Sequence, residues 1–115
     1  MRGINMDSET INEILESLEK TLGVTEESDI TILTEVLNDA IAEIIAARKY
    51  PSDMSAADIE ADMQKYISNV KKLTKYDYIK LGADFEETHN ENGTNRTYVG
   101  REKCFDGVVA FCRQF

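Results

Sequence analysis

The chain has 115 residues, 42% of them hydrophobic and 30% charged, with a formal net charge of −9 at pH 7. This length supports one domain with a modest core, and the mix of apolar and charged residues argues against a disordered chain. So acidic a total makes the chain a poor candidate for wrapping DNA through phosphate contacts, which needs clustered Lys and Arg, yet it is compatible with surrounding DNA without gripping it.

The charge is uneven: residues 1–50 carry a net −7, residues 51–100 carry −3 and residues 101–115 carry +1. Aromatic residues are 8% and Trp is absent, so the core is expected to be mainly aliphatic. Residues Met1 to Thr10 hold too few apolar side chains for a signal peptide, and no apolar run is long enough to cross a membrane. The expected place of synthesis and assembly is therefore the cytoplasm, without a membrane partner.

Ile11, Ile14, Leu15, Leu18 and Leu22 fall on one stripe at helical spacing. With Asp7 or Ser8 as cap and Gly23 as left-handed terminator, they predict a helix over residues 8–22. A second helix is predicted from about residue 29 to residue 49, capped by Ser28 or Asp29. Its apolar residues Ile30, Leu33, Val36, Leu37, Ala40, Ile41, Ile44 and Ile45 cover close to half its circumference, as a central core helix requires. Pro51 disfavours helix at Tyr50 and ends it.

Ser55-Ala56-Ala57-Asp58 opens a third helix as a capping box with Asp in place of Glu. Ile59, Met63, Tyr66, Ile67, Val70, Leu73 and Leu81 share its apolar face, and Asp77 interrupts that face, which predicts a bend near Thr74–Tyr78. Lys65, Lys72, Lys75 and Lys80 lie opposite, joined by Tyr76 and Ile79. Such a face is either an ordinary solvated surface or a dock for the acidic N-terminal half of another copy. Opposite charges on two faces of one chain suit head-to-tail association.

The segment Glu86 to Tyr98 is polar and centred on Asn92-Gly93, the dipeptide that best tolerates the positive φ angles of a tight hairpin. Thr97 and Tyr98 beyond it favour extended backbone, so a polar β-hairpin or loop is expected at residues 86–98. The tail from Arg101 contains Cys104, Phe105, Val108, Phe111 and Phe115 and fits either a brief helix or an extended strand. It either covers the core or docks into a partner. The fold class is thus mainly α: a single domain with a small bundle of three to four helices over residues 8–82, the polar segment, and a short tail over residues 101–115.

Catalytic chemistry finds little support. His89 is the only histidine, and with Glu86, Glu87 and Glu91 it stands in an acidic segment that lacks the rigid set of three or four ligands a metal needs. No nucleophile–base pair, GxSxG elbow or phosphate-binding loop occurs, so the chain is read as no enzyme, with no metal site and no cofactor. Cys104 and Cys112 fit no redox or zinc spacing and read as small apolar side chains.

The order of features resembles the head–tail connector (adaptor, or DNA-packaging) family of long-tailed bacteriophages. The likeness begins at Leu22-Gly23-Val24-Thr25 with Asp29 and runs through Leu33, Ala40 and Ile41 to Tyr50-Pro51. It is most specific at Glu91-Asn92-Gly93-Thr94-Asn95-Arg96-Thr97-Tyr98, which is similar to the family's Glu-Asn-Gly-x-Ser-Arg-Thr-Tyr stretch with Asn95 in place of Ser. The chain departs from the family pattern at its cysteine-bearing end, Cys104 to Phe115.

The resemblance implies a structural virion protein, assembled in the host bacterial cytoplasm, whose copies form a homo-oligomeric ring of about twelve subunits at the capsid vertex. The ring stands between the portal protein and a head-completion (stopper) or tail-terminator protein and extends the DNA channel, through which DNA passes without sequence-specific binding. Glu91, Asn92, Gly93, Asn95, Arg96, Thr97 and Tyr98, with the lysine face, become candidate interface residues. Arg101, Cys104, Phe105, Val108, Phe111 and Phe115 become a candidate portal-docking tail. The alternative is a small acidic helical regulator or inhibitor that binds one protein through the lysine face.

Overall fold

The structure is a computed structural model that describes residues 6–86 and 100–111. Four α-helices and two 3₁₀ turns make up this part, and no strand occurs among the described residues. The predicted mainly helical fold is observed. The expected hairpin at residues 86–98 lies almost wholly outside the described residues.

Helix α1 spans Ser8–Leu22 as predicted. Asp7 is its cap, accepting a 2.8 Å hydrogen bond from the Thr10 N–H, and Gly23 closes it at φ 70°. That left-handed conformation favours glycine, and it lets the Gly23 and Val24 N–H groups donate to the Glu19 carbonyl.

Helix α2 spans Glu27–Arg48 and so starts two residues before the prediction. Neither Ser28 nor Asp29 is the cap; both sit in the first turn, where Glu27 and Asp29 complement the positive end of the helix dipole. Glu26 occupies the cap position without a side-chain bond, and its carbonyl accepts from Ile30 N–H. The helix ends at Lys49, held left-handed at φ 52°, just before Tyr50-Pro51. Leu33, Leu37, Ala40, Ile41 and Ile44 are fully buried, which makes α2 the central core helix. Burying each of its Leu and Ile side chains stabilises the fold by about 1.5–3 kcal/mol relative to exposure.

The third predicted helix is two helices. α3 (Ala56–Met63), capped by the Ser55 hydroxyl, passes through a 3₁₀ turn at Gln64–Tyr66 into α4 (Ile67–Glu86). The break therefore falls a full ten residues before the bend predicted at Thr74–Tyr78. Thr74 instead lies inside α4, fully buried, its hydroxyl donating to the Val70 carbonyl at 2.7 Å. Asp77 does not distort the helix because its carboxylate meets the guanidinium of Arg101. Ile59, Met63, Val70 and Leu73 are buried as expected, whereas Leu81 remains 42% exposed near the end of α4.

Residues 100–111 return across the bundle. A 3₁₀ turn at Arg101–Phe105 is followed by a turn at Asp106-Gly107, with Gly107 at φ 81°, and then by irregular chain to Phe111. The described part of the tail is therefore neither a simple helix nor a strand; Gly107 separates its 3₁₀ turn from its irregular part.

Candidate interaction surface

The C-terminal segment is fastened to the helices as a strap, and four side chains from the bundle, Asn69, Arg48, Asp77 and Glu43, hold it. Asn69 of α4 donates to the carbonyls of Cys104 (2.8 Å) and Asp106 (2.9 Å). Arg48, at the end of α2, donates through Nη1 to the Val109 carbonyl at 2.7 Å, and its own carbonyl accepts from the Phe111 N–H. Arg101 is gripped by both oxygens of Asp77, each at 2.9 Å, and by Glu43 of α2 at 2.9 Å. These bonds, with Asp77 first, push the Arg101 pKa up against the opposing effect of burial.

Arg48 is also the centre of a buried polar cluster. It is 6% exposed and Asp62 is 7% exposed. Its Nε and Nη2 donate to Asp62 Oδ2 at 3.1 and 2.9 Å, and the Tyr50 hydroxyl donates to the same oxygen at 2.6 Å. Lys65 reaches the other carboxylate oxygen at 3.1 Å. The guanidinium also lies 4.8 Å from the Tyr66 ring centroid and 5.4 Å from that of Phe111, within cation–π range. Burial alone would raise the Asp62 pKa, but the bonds from Tyr50, Lys65 and Arg48 outweigh it and hold the carboxyl below its ordinary value. The Tyr50 phenol, half-buried and hydrogen-bonded to Asp62, is pushed up to about 12. The cluster ties α2, α3 and the strap together, with each charge paired.

The strap and α4 together enclose a groove of about 470 Å³. Its apolar parts are Tyr76, Ile79 and Cys104, and its polar rim is Lys72, Lys75, Lys103 and Asp106. Ile79 is 50% exposed there, a large aliphatic side chain in the middle of a lysine-bearing face. The Cys104 thiol is buried, and burial with the nearby Asp77 charge pushes its pKa up, so it is a packing residue and a poor nucleophile.

Of the predicted interface residues, Lys72, Lys75, Tyr76 and Ile79 therefore share one groove. Lys65 stands apart and pairs with Asp62. Of the predicted tail, Arg101, Cys104, Phe105, Val108 and Phe111 pack on the chain's own helices, Cys104 buried and the others partly so. Phe115, Cys112, His89 and the whole Glu91–Tyr98 stretch lie outside the described residues.

Sequence reasoning missed Arg48, Asp62, Asn69 and Glu43. Asp77, a charge on an apolar face, marks an ion-pair partner of Arg101 and no bend. Among the described residues, no group of three or more His, Cys, Asp or Glu is placed to hold a metal ion. No described helix is long and apolar enough to cross a membrane. Comparison with protein-family models, curated proteins and solved structures finds no match for this chain.

Proposed function

We propose that this chain is a structural virion assembly protein, a head–tail connector whose copies form a ring between the portal and a head-completion or tail-terminator protein. The observation that carries the reading is the Glu91-Asn92-Gly93-x-Asn95-Arg96-Thr97-Tyr98 motif placed between a helical body and a strap docked on that body. The helical fold supports it, as does the apolar groove with a lysine rim on an otherwise acidic chain. Those features suit recognition of protein surfaces. The net charge of −9 suits a channel wall that DNA passes without being gripped.

Deleting residues 88–97 tests the reading. The described helices pack a core among themselves, so the deleted chain should keep its far-ultraviolet circular dichroism and its thermal transition while losing rings in negative-stain images of mixtures with portal. Undiminished rings would reduce the segment to a surface turn. The groove by itself also suits a small acidic regulator that binds one protein. That reading requires one-to-one complexes and no ring on any partner.

A further inference from the structure

Two exposed helix faces in the described part of the chain carry matching patterns of opposite charge. On α4, Lys72, Lys75 and Ile79 follow one another at spacings of three and four residues along the groove face. On α2, Ile32, Glu35 and Asp39 follow at the same spacings, all exposed, with Ile32 at 44%. Residues three, four and seven apart lie on one side of a helix.

The order is reversed between the two: the isoleucine leads on α2 and trails on α4. When the helices run antiparallel, Ile32 meets Ile79, Glu35 meets Lys75 about one turn along, and Asp39 meets Lys72 about two turns along, near 10 Å from the isoleucine pair.

These two faces cannot meet within one molecule. Helical periodicity turns the Lys72–Ile79 stripe away from Val70, Leu73 and Thr74, which are buried in the bundle with α2. The groove therefore opens on the side of α4 remote from α2. Of the exposed acidic helices, α1 offers Glu9, Glu13 and Glu16 but no large exposed apolar residue among them, so it lacks an anchor for the apolar part of the groove. The face of α2 supplies both the acids and the anchor.

We infer that the α4–strap groove of one copy receives the Ile32–Glu35–Asp39 face of α2 of the next copy, antiparallel and head-to-tail. Such a contact is heterologous, and it closes into a ring when the rotation per subunit permits. The assignment rests on the ring reading above and adds the surfaces and register through which copies meet.

A charge-swap series measured by sedimentation velocity, on the full chain alone and mixed with portal, tests it. Lys72→Glu with Lys75→Glu should weaken assembly by about tenfold or more, since two attractive pairs become repulsive. Glu35→Lys with Asp39→Lys should do the same, and the chain carrying all four changes should assemble again. All the altered side chains are exposed, and unchanged thermal transitions will show that the variants fold. Either double variant assembling like the unaltered chain overturns this pairing while leaving the ring reading in place. The same holds if the lysine swap alone breaks assembly, since the groove then takes another occupant, or if the fourfold variant stays dissociated. An unaltered chain that stays monomeric with and without portal overturns both.

Discussion

Replacing Asp62 by Ala removes the acceptor on which the buried polar cluster converges. Four contacts disappear: Arg48 Nε and Nη2, the Tyr50 hydroxyl and Lys65 Nζ. They do not weigh equally. The Lys65 side chain is 70% exposed, so its pairing contributes less than about 1 kcal/mol. The loss at Arg48 dominates, because a guanidinium that is 6% exposed keeps its charge without its counter-ion. Breaking a buried pair from one side costs about 3–5 kcal/mol. The bond to the Val109 carbonyl and the Tyr66 and Phe111 rings remain to Arg48, which places the expected loss near the lower end, about 3 kcal/mol. Set against a typical domain stability of about 5–15 kcal/mol, this is a large fraction. Urea unfolding followed by circular dichroism should show a lower midpoint at unchanged slope. Lys65→Ala serves as the control and should shift stability by less than about 1 kcal/mol. A loss below about 1 kcal/mol for Asp62→Ala would show that the cluster does not hold α2, α3 and the strap together.

The same cluster gives the fold an acid limb. The Asp62 pKa is depressed on folding, so its contribution is present above the unfolded value of 3.8 and is lost as pH falls through the folded value. Acid titration of stability should accordingly fall less steeply for Asp62→Asn than for the unaltered chain. Lys49 holds a left-handed conformation at φ 52° that costs an L-residue about 1 kcal/mol, so Lys49→Gly should raise the thermal midpoint; a lowered midpoint would contradict this account of the α2 terminus. Asn69→Ala removes the two hydrogen bonds that its amide donates to the strap and should speed amide exchange at residues 103–108 while leaving that of α2 unchanged. Unchanged exchange in the strap would show that Arg48 and Arg101 suffice to hold it.

The helices with local signals were legible from the sequence. Asp7 and Gly23 bound α1 through contacts three or four residues away, and the apolar residues of α2 announced a core helix by number and spacing. What escaped the sequence depends on distant partners. The break at Gln64–Tyr66 lies beside Asp62 and Tyr66, both of which engage Arg48 from the preceding helix. Asp77 read as a flaw in an apolar face because its partner, Arg101, stands 24 residues away. The strap depended on Asn69, whose amide is unremarkable until it meets two carbonyls more than 30 residues on. The lysine face was legible as a stripe; that the strap turns it into a groove was not.

The proposed connector role requires copies of this chain to assemble into a closed ring on the portal. Native mass measurement of the full chain, alone and mixed with portal, reads that assembly out. The expected result is a single closed stoichiometry, present in the chain alone at high concentration or formed when portal is added. A chain that remains strictly monomeric and leaves the mass of portal unchanged would contradict it.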